Sequence, residues 1–350
     1  MSGISKKKLE GIELCRGIAA IIVVLYHVFR HLEKTPDHSS LGHIFQFGHA
    51  GVDLFFVISG FIILFAHYDD ISCPGRIGHY IRRRLTRIMP TYLVALFVTI
   101  LISSLGGHSF PNYIDIIMSI FLLPSDTEPI LGVAWTLQYE VVFYGIFCIL
   151  LVHRYGGVSV FALWLLWIIW ALVEKSFSFG LPASLFGVYN IEFFLGMAIA
   201  FWVKNYKMPQ FSGTITIMGI LLFIISAIAE DLHVLNGYSG IARLMYGVPS
   251  ALIIFGASDS RQRGNTILLQ LLRVFGKSAY SIYLFQFIFI GIVWKMLQFA
   301  RMDRGMPYGI SFLLLSIGGI AGGILMSRYV EYPLIQRVRT WGKLTVPASS

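Results

Sequence analysis

Apolar stretches of roughly twenty residues, the length of helix that crosses about 30 Å of hydrocarbon at about 1.5 Å per residue, recur along the whole 350-residue chain. Lipid is therefore the expected solvent, and ten spans are placed at 13–31, 49–67, 89–106, 135–152, 158–174, 188–203, 212–229, 241–257, 278–297 and 309–326. One further run, Tyr113 to Leu123, lies between Pro111 and Pro124. At about 11 residues it is too short to cross and reads as a re-entrant or interfacial helix. The expected fold is an all-α polytopic membrane protein, with 1–350 forming one membrane-embedded domain. No repeat, low-complexity segment or soluble domain interrupts the pattern.

Composition agrees: 13% of residues are charged and the mean hydropathy is +0.74, against roughly 25% charged in an average soluble domain. A net charge of +9 points to nucleic acid only if the basic side chains are not spent on topology, so orientation is tested first. With the amino terminus cytoplasmic, 20 of the 27 Lys and Arg fall on the cytoplasmic side. The other seven are Arg30, Lys34, Lys175, Arg243, Lys295, Arg301 and Arg304. The bias fixes an even span count and both termini inside, and it leaves no reason to expect a nucleic-acid partner. The basic start MSGISKKKLEGIELCRG resembles a signal peptide, but Glu13 and Arg16 interrupt its apolar run and no small-residue cleavage site follows, so it reads as a retained first span. Cys15, Cys73 and Cys148 lie far apart without metal-ligand spacing. They are expected as free thiols, and no metal is expected.

Polar residues inside spans are costly and mark pathways or reaction sites. In LCRGIAAIIVVLYHVFRH, Arg16 and His27 are eleven residues apart, within roughly 20° of one helical face and about 16 Å along the axis. Arg16 falls near the cytoplasm and His27 in the outer half. An interfacial arginine on lipid phosphate plus a hydrogen-bonded bundle histidine is the alternative reading. Asp53, in GHAGVDLFFVISGF, enters the second span from outside at a depth that suits His27. A carboxylate there can orient a basic imidazole, or it can be an ordinary helix-start carboxylate. Ser59 and Gly60 beyond it are expected to serve close helix packing.

The stretch HYIRRRLTRIMPTYL brings Arg84 and Arg87 one turn apart beside the third span. Arginine forks suit phosphates bidentately, and a polybasic collar on anionic lipid is equally compatible. Glu140, in AWTLQYEVVFYGIF, lies about 9 Å below the outer edge of its span and needs a partner or a proton, with His27 a candidate by depth. Glu192 is shallower and ranks lower. Gln286 in GKSAYSIYLFQFI and Glu331 in SRYVEYPLIQ read as helix glue or a terminal ion pair as readily as chemistry.

In this order and spacing the residues resemble the membrane-bound acyltransferase family 3, bacterial O-acyltransferases acting on polysaccharides, lipopolysaccharide and related acceptors. The resemblance rests on R-x10-H at Arg16 and His27, GVDLFFVISGF, R-x-x-R at Arg84 and Arg87, WTLQYE ending in Glu140, GKSAYSIYL, and a closing EYP. It implies an integral protein of the bacterial cytoplasmic (inner) membrane that moves an acyl group, usually acetyl, from cytoplasmic acyl-CoA to a sugar hydroxyl at the outer face. His27 carries over as the essential histidine and Arg84 and Arg87 as contacts to CoA phosphates. Gln286 stands where many relatives have histidine, and no hydrolase-like domain follows the last span, as in the exopolysaccharide-production branch.

The expected mechanism has Arg84 and Arg87 on the CoA phosphates, Arg16 at the donor entry, His27 as base, and Asp53 or Glu140 orienting His27. A covalent acyl-histidine is compatible with the same residues. The acceptor, a glycan or lipid-linked sugar, is expected among loops 32–48, 106–134 and 174–187. Two rivals remain at this point: a proton-coupled transporter or flippase of a lipid-linked sugar, which would use the same His, Asp and Glu but lacks a convincing inverted repeat, and a non-catalytic scaffold.

Overall fold

The computed structural model describes residues 3–34, 40–107, 109–125, 127–174, 180–259, 267–302 and 305–344, and every regular element among them is helical. Lys175, Arg261, Arg263 and Arg304 of the charge count, and residues 35–39, 108, 126 and 175–179 of the acceptor loops, lie outside the described residues. In chain order the helices are α1 (Gly3–Leu32), α2 (Gly51–His67), α3 (Ile77–Leu105), α4 (Tyr113–Ile120), α5 (Trp135–Val152), α6 (Arg154–Glu174), α7 (Gly180–Phe186), α8 (Tyr189–Asn205), α9 (Ser212–Asp231), α10 (Gly240–Ala257), α11 (Ile267–Phe299), α12 (Tyr308–Met326) and α13 (Tyr332–Leu344).

Nine helices among the described residues are long and apolar enough to cross a membrane: α1, α2, α3, α5, α6, and α9 through α12. The tenth expected span is α8, whose 17 residues reach about 25 Å, just short of the hydrocarbon thickness. The protein is an all-α polytopic membrane protein. The run between Pro111 and Pro124 is the eight-residue α4, capped at its start by the Asn112 side chain, which accepts from the Asp115 N–H. At about 12 Å it does not cross.

Large apolar side chains remain exposed at helical spacing, Ile217, Leu221, Ile224 and Ile228 on α9 among them, which is the surface a lipid-facing helix presents. Because lipid supplies no hydrophobic force between helices, the bundle depends on backbones approaching through small residues. Gly60 of α2 and Gly196 of α8 provide this reciprocally. A Cβ on Gly60 would sit 2.1 Å from the Phe193 carbonyl oxygen, and one on Gly196 2.0 Å from that of Val57. The same pair of helices carries an aromatic core in which Phe56 tilts against Phe193 at 4.9 Å and Phe193 stacks on Phe143 of α5 at 4.3 Å. Helix α1 runs alongside α11, with Arg273 paired to Glu10 at 3.6 Å. Proline is tolerated inside α10 because a neighbour repairs the ladder. Pro249 cannot donate to the Met245 carbonyl, and Ser226 of α9 donates to that oxygen at 2.8 Å instead.

Candidate active site: two cavities in one bundle

Near the middle of α1, Arg16 joins Arg84 and Arg87 of α3 around a cavity completed by Ser59 of α2, Glu140 and Tyr144 of α5, and Tyr280 and Tyr283 of α11. Arg84 and Arg87 share a wall because residues three apart lie on one helix face. Arg84 is 9% exposed, with its guanidinium 5.8 Å from the Tyr80 ring centre and 5.6 Å from that of Tyr144. Its Nε finds no acceptor, and none of the three arginines forms an ion pair among the described residues. A buried guanidinium with an unsatisfied N–H is costly, and a bound polyanion with several phosphate oxygens would satisfy the forked donors of all three arginines.

Glu140 belongs to this cavity. Its carboxylate accepts a short hydrogen bond from the Ser59 hydroxyl and another from the Tyr144 hydroxyl at 3.2 Å, and it is one of the charges felt by Arg16 and Arg84. The expected partnership with His27 is corrected: depth along α5 set its height, but its azimuth turns it toward the arginines. Ser59, expected only as packing, is its donor. Glu331 accepts from Ser281 at 2.6 Å and is also a charged neighbour of Arg16. It sits where the chain between α12 and α13 widens into a π-turn, a departure from α geometry that often accompanies function.

His27 lines a second, roomier cavity, together with Tyr26, His49, Glu128, Trp135, Gln138, Tyr238, Tyr283 and Phe287. Its ring lies 4.4 Å from Phe287 and 5.0 Å from Tyr26, and among the described residues no group hydrogen-bonds either ring nitrogen. The imidazole is thus held by aromatic packing with its nitrogens available to a ligand.

Asp53 does not meet His27, a second correction. Fully buried, it accepts from Arg243 Nη1 of α10 at 2.6 Å. Arg243 also donates to the Gly237 carbonyl and approaches His49 Nδ1 at 3.4 Å. An arginine can only donate, so His49 Nδ1 accepts, its proton sits on Nε2, and that N–H serves Glu230 at 2.9 Å. Tyr246 donates to the same carboxylate at 2.6 Å. This chain from α2 through α10 to α9 stiffens the wall of the histidine cavity, on which Tyr238 stacks over His49 with centroids 4.9 Å apart. Both nitrogens of His49 are committed, which leaves His27 as the imidazole with a free lone pair. Glu192, expected to be shallow and solvated, is 1% exposed, with neither carboxylate oxygen receiving an N–H or O–H donor. Gln286 is fully buried and donates to the Tyr283 carbonyl at 2.9 Å, one turn back on its own helix.

Arg243, His49 and Glu230 are site residues that span placement does not single out, although an arginine within the first turn of α10 is a visible signal, and Tyr283 lies inside the GKSAYSIYL segment.

The chain is thus a many-span helical membrane protein in which a cation-lined cavity at Arg16 adjoins a histidine-lined cavity at His27, further along α1. A family profile described as an acyltransferase domain, that of acyltransferase family 3, matches residues 9–328. The chain belongs to this family. Among relatives it is 29% identical over 326 residues to the exopolysaccharide production protein ExoZ of Rhizobium meliloti (strain 1021), covering 89% of this chain and 95% of that one. It is 26% identical over 372 residues to a protein of Staphylococcus aureus (strain COL) provisionally named an O-acetyltransferase, covering 93% of this chain and 57% of that one. A shorter match, 33% over 92 residues, is to protein 2 in the picA locus of Rhizobium radiobacter. No solved structure matches.

Proposed function

We propose that the protein transfers an acyl group, most often acetyl, from cytoplasmic acyl-CoA to a sugar hydroxyl of an exopolysaccharide, lipopolysaccharide or related glycan at the outer face of the bacterial inner membrane. The observation that carries this reading is a cavity lined by Arg16, Arg84 and Arg87, none of them ion-paired among the described residues, adjoining a cavity lined by His27, whose ring nitrogens make no hydrogen bond among the described residues. Arg16, Arg84 and Arg87 hold the CoA phosphates, and the thioester reaches toward His27 along the bundle. His27 takes the proton of the acceptor hydroxyl as its oxygen attacks the thioester carbonyl carbon. The carbon–sulfur bond then breaks, and the thiolate leaves with the proton returned by the imidazolium. Glu140 sits at the donor end, where its hydrogen bonds to Ser59 and Tyr144 shape the arginine cavity. The relatives' names, exopolysaccharide production and O-acetylation, favour an extracellular glycan and an acetyl group.

Incubating the purified protein with acetyl-CoA and following free thiol with and without acceptor glycan tests the reading. Glycan-dependent thiol release supports it. Movement of a lipid-linked sugar with no acetyl-CoA consumed would replace it with transport.

A further inference from the structure

The arginine and histidine cavities meet at a wall. Val52 of α2 and Tyr283 of α11 line both, and of the two only the tyrosine has a ring that a side-chain torsion could carry across the opening. The Tyr283 hydroxyl lies 3.0 Å from Thr136 Oγ1 and 3.2 Å from the Val133 carbonyl, while Thr136 also donates to that carbonyl at 3.0 Å. Two hydroxyl protons therefore serve three contacts, so only two of the three bonds exist at any moment and the latch is easily exchanged. On the arginine side Phe55 packs edge-on against the Tyr283 ring, with centroids 5.7 Å apart. On the histidine side stands Phe287, which touches His27.

We propose that Tyr283 is the specificity-determining residue for the acyl group, a latched door between the donor cavity and His27. This rests on the acyl-transfer reading above. A donor anchored at Arg16, Arg84 and Arg87 directs its acyl end at the Tyr283 ring. Release of the hydroxyl from Thr136 and Val133 lets the ring turn and a short acyl group pass, while a longer chain meets the ring and the fixed Val52. The closed position also keeps water in the histidine cavity away from the thioester.

The test uses the full chain in lipid nanodiscs with acetyl-, butyryl- and hexanoyl-CoA, reading thiol release with and without surface polysaccharide extracted from the cells that make the protein. Wild type is expected to prefer acetyl-CoA. Tyr283→Ala should raise the hexanoyl-to-acetyl ratio of kcat/KM at least tenfold, a change that a general loss of packing would not produce. Tyr283→Phe, which keeps the ring and removes the latch, should preserve the ratio and raise thiol release in the absence of polysaccharide. An unchanged ratio in a folded Tyr283→Ala, or unchanged polysaccharide-independent release in Tyr283→Phe, would overturn the proposal, and the second readout stands if the alanine variant fails to fold. Wild type releasing no thiol from any of the three donors would overturn the transfer reading itself, whereas an active wild type with unaltered variants overturns only the role of Tyr283.

Discussion

Single residues in this bundle are informative because lipid makes every polar group conspicuous. Arg16, His27, Arg84 and Arg87 stood out in the sequence as charged or titratable groups beside apolar runs, and the structure puts the three arginines in one cavity and His27 in the next. Replacing His27 by Ala is expected to lower acyl transfer by about a hundredfold or more, the usual contribution of a positioned base, with acetyl-CoA binding retained. Equal transfer at matched membrane abundance would remove His27 from the chemistry. Arg84→Ala and Arg87→Ala are expected to raise KM for acetyl-CoA by roughly tenfold each, since a hydrogen bond to a charged group contributes about 1.5–3 kcal/mol. Unchanged KM would assign them to the lipid surface instead. What the sequence could not convey was azimuth. Asp53 and Glu140 lie at suitable depths for His27, yet one turns to Arg243, 190 positions away in the chain, and the other to Ser59. Helical periodicity relates residues on one helix and says nothing of which neighbour a face will meet.

Elements were easier to read than their contacts, because span length and hydropathy are local properties whereas helix pairing is not. Even the short α4 was visible from its flanking prolines, and α8 was found although it falls just short of a full crossing. The α2–α8 pairing depends on Gly60 and Gly196, whose backbone contacts leave no room for a methyl group. Gly60→Ala is therefore expected to lower the thermal midpoint of the purified protein by several degrees, while Gly145→Ala on α5, where nothing lies within 4 Å of the added carbon, should leave it unchanged. Equal midpoints for the two variants would contradict the packing described. Helix α10 is joined to α2 by the buried Asp53–Arg243 pair, 0% and 3% exposed. Arg243→Leu would strand the carboxylate, an effect worth about 3–5 kcal/mol, and should reduce folded protein recovered from the membrane. Adding Asp53→Asn to it should restore part of that yield, because the double variant no longer buries a lone charge. A double variant as unstable as Arg243→Leu alone would show that the pair is not what joins these helices.

Transfer from a cytoplasmic donor to an outer glycan requires a donor site and an acceptor site on opposite sides of one membrane. The charge distribution along the sequence favours the arginine end inside, and the separation of the two cavities along α1 agrees with a route across the bilayer. Cysteines introduced at Asp69 and at Asn236, exposed positions that the span count puts on opposite sides, should react with an impermeant maleimide from opposite faces of the cell membrane. Labelling of both from one face would contradict the odd number of spans placed between them, and labelling of the first position from outside would separate the donor cavity from the cytoplasm. Acyl transfer across the bundle through His27 can be followed in sealed proteoliposomes with labelled acetyl-CoA on the arginine side and acceptor polysaccharide on the other. Wild type is expected to place labelled ester on the polysaccharide and His27→Ala only background label; equal labelling by both proteins, or none with wild type, would contradict transfer through His27.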